Sequence, residues 1–270
     1  MKQWQMIAAS VPGAGHRRRG VPCQDAHRVE EVARGGMVAA VADGLGSAAC
    51  AERGAQVAVD VAVTTLQATL GQAQPRTAAA WRRVLRPTFA AARTALTAMA
   101  AVEDRPLADY ATTLLVAVVT KAGVAVGQVG DGAVVARLAP ETLVTLSKPQ
   151  RGEFANETRP LTSPEALAAV AYSWRPGPVQ ALALFTDGVQ ALCLDAADYT
   201  PYAPFFAPLF AQICQPLNRW EAEAALIAFL QSDRLNLRSD DDKTLALLGQ
   251  VTPAQEIRVR NGANQSIMRQ

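Results

Sequence analysis

Short apolar runs alternate with turn-forming residues along most of this chain. Runs of about five to ten mainly aliphatic residues, bounded by Gly, Asp or Pro, are typical of buried strands. The apolar runs between residues 111 and 146 are separated only by turn residues, so they predict an antiparallel meander. The predicted strands cover residues 4–10, 37–42, 111–120, 123–129, 133–138, 142–146, 181–185 and 244–248.

Longer segments predict helices that pack against the sheet. Two alanine-rich ones cover residues 48–70 and 77–102, and Pro87 is expected to break or kink the second. A third, amphipathic helix is predicted over residues 219–230. The stretch 147–178 loses this periodicity and contains five prolines, which indicates an excursion before the next core strand.

The chain contains five short acidic motifs, most of which follow or precede these apolar runs. They are centred on Asp25, Asp43, Asp131, Asp187 and the triplet 240–242. Where such residues end neighbouring strands, their carboxylates gather along one edge of a sheet and repel one another unless a cation lies among them. Because oxygen-only ligands favour Mg²⁺ or Mn²⁺ over zinc or copper, the pattern predicts a divalent-metal site.

Each motif also has a purely structural interpretation. The sequence Val-Gly-Asp-Gly around Asp131 can serve as a hairpin loop, and the 240–242 triplet can be a solvated turn. Three Asp-Gly pairs, each placed after an apolar run and followed at the end by an acidic triplet, favour the functional interpretation of the whole set.

This ordered set resembles the metal-dependent serine/threonine protein phosphatases of the protein phosphatase 2C type, over about residues 10–249. The segments 13–16 (Gly-Ala-Gly-His), 22–25 (Pro-Cys-Gln-Asp) and 152–158 resemble a bacterial subgroup. The resemblance implies an α/β (α+β) fold, a four-layer α/β/β/α sandwich with two mainly antiparallel sheets flanked by helices. It also implies one catalytic domain over residues 1–251, with 147–178 as a flap, and leaves 252–270 as a polar tail.

The resemblance further implies two Mn²⁺ or Mg²⁺ ions and allows a third that is weakly bound. Asp43 would bridge the two ions, the Gly44 carbonyl would help to hold one, and Asp187 and Asp241 would complete the other. Asp241 is chosen over its neighbours because the family places the ligand three residues before a threonine, here Thr244. A hydroxide bridging the ions would attack the phosphorus atom.

Two further aspartates are implied in supporting roles. In the family, the positions of Asp25 and Asp131 orient metal-bound waters or contribute to the third ion, and Asp131 is the better candidate for the ion. Asp242 replaces the asparagine that is usual at its position and can add charge near the site.

The chain departs from the family pattern at two positions. Leu45 stands where many eukaryotic members have a histidine that protonates the leaving group, so water or another group must do so here. Gly20 stands where the phosphate-binding arginine usually lies. Arg19 or Arg17, with His16, are the candidates to replace it.

Composition limits the function without defining it. The chain has 270 residues, half of them hydrophobic, and a formal net charge of +2. Without a broad basic field, nucleic acid is not an expected partner. No apolar signal segment begins the chain, and four prolines in the uncharged stretch 199–218 make it a poor membrane span. With four cysteines and no Cys-x-x-Cys pair, a reducing cytoplasmic location is expected.

The favoured hypothesis is a phosphatase that acts on phosphoserine or phosphothreonine in proteins. Its partners would be a phosphorylated protein substrate and an opposing serine/threonine kinase or that kinase's targets. Two alternatives remain open: a catalytically silent relative that binds a phosphoprotein, and a hydrolase of small phosphoesters.

Overall fold

The computed structural model describes residues 3–71, 74–139, 141–150 and 159–251. Ten strands and eight α-helices follow one another within these residues. In chain order they are β1 (Gln3–Val11), α1 (Ala14–Arg19), β2 (Asp25–Val32), β3 (Gly36–Asp43), α2 (Ala51–Leu70), α3 (Ala78–Val102), β4 (Leu114–Thr120), β5 (Gly123–Val129), β6 (Ala133–Leu138), β7 (Thr142–Ser147), α4 (Ala166–Ala169), β8 (Ala171–Pro176), β9 (Val179–Phe185), α5 (Asp187–Cys193), α6 (Ala203–Ile213), α7 (Arg219–Leu230), α8 (Asp233–Asn236) and β10 (Lys243–Val251).

The strands form two five-stranded sheets. The first has the order β1-β10-β9-β6-β7 and the second the order β2-β3-β4-β5-β8. All neighbouring strands pair antiparallel. The first and last strands of the described chain, β1 and β10, are neighbours, with Ser10 opposite Thr244.

Three apolar cores separate four layers. One core, which includes Leu66 and Phe89, lies between helices α2 and α3 and the second sheet. Another, which includes Val41 and Leu184, lies between the two sheets, and a third, which includes Phe210, lies between the first sheet and helices α5 to α8. The predicted four-layer α/β/β/α sandwich is confirmed.

Most predicted elements are present with small changes in their bounds. The helix predicted over 219–230 is α7, and the strand predicted over 123–129 is β5. The segment predicted as strand 111–120 begins later, at Leu114. Helix α3 runs without a break through Pro87, so the expected break is wrong.

Two other expectations differ from the structure. The meander predicted between 111 and 146 is wrong, because β4 and β5 belong to the second sheet and β6 and β7 to the first. Residues 171–176, placed in the excursion by their irregular pattern, form strand β8 at the edge of the second sheet. The subgroup-like segment 152–158 and the predicted tail 252–270 lie outside the described residues. In the described ranges, no helix is both long enough and apolar enough to cross a bilayer.

Candidate active site

The predicted carboxylates lie at strand ends where the two sheets meet. Asp25 begins β2 and lies directly opposite Asp43, the last residue of β3, in the second sheet. Asp187 follows β9 and begins α5, and Asp241 comes two residues before β10, both beside the first sheet. Asp131 lies in the short connection from β5 to β6, which passes from one sheet to the other.

The electrostatic influence of these aspartates on one another shows that they form one cluster. The pKa of Asp43 is raised well above its usual value, first by burial and then by the charges of Asp25, Asp187, Asp131 and Asp241. Burial, followed by the charges of Asp131 and Asp241, raises the pKa of Asp187 to about 6. Burial and like charges therefore raise the pKa values of the central carboxylates, as the sequence pattern predicted.

Asp25 is the most enclosed member of this cluster. Its side chain is buried, and its Oδ2 accepts hydrogen bonds from the hydroxyls of Thr186 at 2.7 Å and Thr244 at 2.8 Å. Burial raises the pKa of Asp25 well above its usual value, and the two hydroxyls partly oppose this shift. The threonines come from β10 and the end of β9, so Asp25 connects the second sheet to the first.

The backbone around Asp43 is fixed by the segment that precedes β4. The Asp43 carbonyl accepts hydrogen bonds from the Thr113 N–H at 2.8 Å and from the Thr112 hydroxyl at 3.0 Å. The Asp43 N–H donates to the Thr113 hydroxyl at 2.9 Å. Gly44 is required for close approach, because a Cβ there would lie 2.6 Å from the Gln24 carbonyl oxygen and 2.7 Å from that of Ala51.

The adjacent aspartates of the 240–242 triplet have different environments. Asp242 is 3% exposed, and its carboxylate accepts hydrogen bonds from the N–H groups of Gly13 at 2.7 Å and Gln24 at 2.6 Å. His16 Nδ1 lies 2.9 Å from the same carboxylate. Asp241 is exposed, and among the described residues its carboxylate accepts a hydrogen bond only from the Asp242 N–H, at 2.8 Å. Asp242 therefore holds two chain segments together, whereas Asp241 presents its side chain outward.

The basic residues of α1 lie beside this triplet, although not all in the same way. Helix α1 is docked on it through the Gly15 N–H, which donates to the Asp240 carbonyl at 2.9 Å. Arg17 is close enough to lower the pKa of Lys243, an effect second only to burial. Arg19 is exposed at the end of α1 and makes no hydrogen bond or ion pair with the described residues.

Asp131 occupies a crossing between the sheets, so the hairpin interpretation of its motif is wrong. The Gln190 side chain donates a hydrogen bond to the Asp131 carbonyl and joins this loop to α5. Gly130 has φ +107° and packs against Thr113, a combination that requires glycine. The loop is thereby held against both the Asp43 segment and the Asp187 helix.

The cluster fits a hard divalent ion. Asp187 Oδ1 is buried and has no hydrogen-bond partner among the described residues, which leaves one oxygen available as a ligand. Within those residues, no three carboxylate, imidazole or thiolate side chains already surround a single point. Mg²⁺ and Mn²⁺ accept such an open arrangement, because they usually keep several waters and bind few protein oxygens.

Several polar residues of the site were not singled out from the sequence. Ser10 and His27 belong to no predicted motif, Thr186 precedes Asp187 in one without a predicted role, and Asp242 was considered only for its charge. A small polar residue at or next to the end of an apolar run is a signal that Ser10 and Thr186 share, whereas His27 lies within the polar strand β2 and has none. Their importance arises from strand pairings that join distant parts of the chain.

Comparisons with known proteins agree with this architecture. The family model for "Protein phosphatase 2C" matches residues 12–231. Serine/threonine-protein phosphatase 3 of Escherichia coli (strain K12) is 32% identical over 252 residues, which span 90% of this chain and 97% of that protein.

Solved structures show the same fold. A serine/threonine phosphatase of S. agalactiae is 16% identical and superposes with a TM-score of 0.61, over 91% of this chain and 99% of that one. The catalytic domain of the serine/threonine protein phosphatase PstP, solved with two manganese ions, is 20% identical with a TM-score of 0.56, over 93% and 100% of the chains. The chain belongs to the protein phosphatase 2C family.

Proposed function

We propose that this protein hydrolyses phosphoserine and phosphothreonine esters in proteins with the help of two Mn²⁺ or Mg²⁺ ions. The observation that carries the proposal is the cluster of five mutually repelling aspartates at the meeting point of the two sheets. The relationship to a serine/threonine phosphatase along nearly the whole chain supports it.

The proposed metal ligands are Asp43, the Gly44 carbonyl, Asp187 and Asp241, with Asp131 as the residue for a third, weaker ion. When bound, such ions lower the pKa of water and offset the negative charge of a phosphate ester. The manganese pair of PstP supports the number of ions. The hydrogen bonds that fix the Asp43 backbone support its place at the centre, because they hold the end of the strand that carries its carboxylate.

The remaining residues are proposed to handle the substrate and the water. Asp25 would orient the attacking water with the carboxylate oxygen that the two threonines leave unused. Arg17 would bind the phosphate, supported by its position beside the acidic triplet. His16 and Arg19 remain candidates, and of His16 only Nε2 is left for a phosphate because Nδ1 binds Asp242.

The proposed substrate is a phosphorylated protein, and the reaction would oppose a serine/threonine kinase. We place it in a reducing, cytoplasmic setting. All four cysteines lie within the described residues and none forms a disulfide, which supports that setting.

The test is phosphate release from a phosphothreonine peptide across a Mn²⁺ titration. Wild type should be active only with metal. Asp43→Asn should lower the activity by at least about 100-fold, which is the largest loss usual for replacing a residue that only supports a metal ligand. Asp104→Asn is the matched control, because Asp104 is exposed and its φ of +50° suits asparagine equally well.

Three outcomes would contradict the proposal. Chelator-insensitive turnover would exclude a metal-dependent reaction. Folded wild type that binds the phosphopeptide in Mn²⁺ without turnover would favour the silent binding relative. Faster hydrolysis of nucleotides or cyclic dinucleotides than of phosphoproteins would favour the hydrolase of small phosphoesters.

A further inference from the structure

A continuous chain of hydrogen bonds leads from Asp25 on β2, through two residues of the first sheet, to His27 on the same strand β2. Asp25 Oδ2 lies 2.8 Å from Thr244 Oγ1. Thr244 Oγ1 lies 2.7 Å from Ser10 Oγ, and Ser10 Oγ lies 2.8 Å from His27 Nδ1. Each of these distances is that of a well-formed hydrogen bond.

Strand pairing explains why these four side chains meet. Ser10 and Thr244 are directly opposite each other on β1 and β10 of the first sheet. Asp25 and His27 are two residues apart on β2 of the second sheet, so they point to the same face of it. The intervening Ala26 packs into the core on the helix side of that sheet. The series of hydrogen bonds therefore passes from the second sheet to the first and back.

The donors have only one arrangement when Asp25 is ionised. The carboxylate can only accept, so Thr244 must donate to it, which leaves the Thr244 oxygen to accept from Ser10. Ser10 then accepts from His27, and Nδ1 must carry the proton. The Thr186 hydroxyl also donates to Asp25 Oδ2 and accepts the Thr244 N–H at 3.0 Å.

Both hydroxyl bonds converge on a single carboxylate oxygen. Among the described residues, Oδ1 of Asp25 accepts no hydrogen bond, so the chain fixes which oxygen remains for other partners. A carboxylate with two unrestrained oxygens could rotate, and the water bound to it would lose its direction.

We propose that Ser10 and His27 are positioning residues, which act through Thr244 to hold the Asp25 carboxylate in one orientation toward the attacking water. The inference rests on the proposed function of Asp25. Neither residue touches the substrate. Their effect should appear in kcat, with little change in the KM of the phosphopeptide or in the Mn²⁺ concentration for half-maximal activity.

The kinetic test compares Ser10→Ala, which breaks the chain, with Ser10→Thr, which keeps a hydroxyl. Ser10→Ala should lower kcat about tenfold at saturating Mn²⁺, as expected for residues that support a metal site, and Ser10→Thr should recover most of it. Ser173→Ala is the matched control. The Ser173 hydroxyl also joins the two sheets, donating to the Leu146 carbonyl at 2.9 Å, but it lies on β8 away from Asp25.

If Ser10→Ala does not fold, His27 provides a second pair. His27→Asn keeps an N–H donor near the position of Nδ1 and should retain activity, whereas His27→Leu has no donor and should lose it about tenfold. A kcat for both Ser10→Ala and His27→Leu within about twofold of Ser173→Ala would overturn the proposal.

A spectroscopic test does not depend on turnover. At pH 8 histidines are neutral, and their ¹⁵N spectra show which ring nitrogen carries the proton. The chain has two histidines, and the signals of His27 are those that disappear in the His27→Asn variant. With Mg²⁺ bound, His27 should be protonated at Nδ1 in wild type and shift toward the Nε2–H form in Ser10→Ala. An Nε2–H form in wild type would overturn the chain itself, whereas inactive wild type with the Nδ1–H form would instead refute the proposed function.

Discussion

The triplet 240–242 shows how position, and not residue type, decides what an aspartate does. Asp242 is buried, and both of its carboxylate oxygens already accept hydrogen bonds, from the N–H groups of Gly13 and Gln24. Asp240 is exposed, and its carboxylate lies 3.6 Å from the Arg18 guanidinium, a surface contact of little energetic weight. Asp241 alone combines exposure with a place among the other carboxylates. The family resemblance, which places the metal ligand three residues before a threonine, here Thr244, implies the same residue.

At the residue scale, the raised pKa of Asp187 predicts an unusual pH dependence. Its pKa is about 6 in the folded protein and about 4 in an unfolded chain, so the folded state holds the proton more tightly. The resulting stability is complete below about pH 4 and is lost as the pH rises through 6. In chelator, the free energy of unfolding should therefore fall by on the order of 1–2 kcal/mol between pH 5 and 7.5.

Denaturant titrations at several pH values measure this directly. Asp187→Asn should remove much of the slope, and excess Mn²⁺ should flatten it in wild type because the cation replaces the proton. A metal-free protein that becomes steadily more stable over this pH range would contradict the prediction.

At the scale of elements, the sequence predicts every strand of the first sheet and the central strands of the second, but it misses both edges of the second sheet. Strands β3, β5 and β9 are covered on both faces and show as apolar runs. The missed strands β2 and β8 are the two edges of the second sheet, and most of their residues are only partly buried or exposed. An edge strand needs fewer apolar side chains, so it resembles a loop in sequence.

The site divides in the same way. Most of its carboxylates are predictable because they stand next to apolar runs, whereas the role of Asp25, on the missed strand β2, is implied by the family resemblance. The roles of Ser10 and Thr244 cannot be predicted in this way, because they arise when β1 pairs with β10, across 234 residues of sequence. A hydroxyl at a strand end has no pattern of its own until its partner is known.

The loop before β10 offers a prediction about metal affinity. Lys243 is wholly buried, and its ammonium donates to the Asp241 carbonyl at 2.8 Å and to the Asn236 side chain at 3.3 Å. Lys243→Met keeps much of the volume but removes these donors. The Mn²⁺ concentration for half-maximal activity should rise about tenfold, with a smaller change in kcat at saturating metal.

Lys148→Met is the matched control for this variant. The Lys148 ammonium also donates to a backbone carbonyl, that of Asp198 at 3.0 Å, on an exposed surface. Its Mn²⁺ dependence should equal that of wild type. If Lys243→Met and Lys148→Met need the same Mn²⁺ concentration for half-maximal activity, Lys243 does not position Asp241.

At the scale of the whole molecule, the layers separate stability from chemistry. The outer core between helices α2 and α3 and the second sheet contains no residue of the site. Leu66→Ala, a change at a fully buried position of that core, should lower the free energy of unfolding by roughly 2–5 kcal/mol. Active-site titration should show that kcat per folded molecule is unchanged, and a lower kcat would mean that the outer layer does position the site.

The pairing of β1 with β10 has a consequence for the making of the protein. Asp25 and Thr244, which must touch, are 219 residues apart, so at usual translation rates of about 5–20 residues per second the ribosome needs about 10–45 seconds to deliver the second after the first. During that interval β1 and β9 have open edges where β10 will later lie, edges that can pair with other chains. A half-synthesised copy thus has two exposed strand edges and an incomplete site, and the site can form only after β10 has left the ribosome.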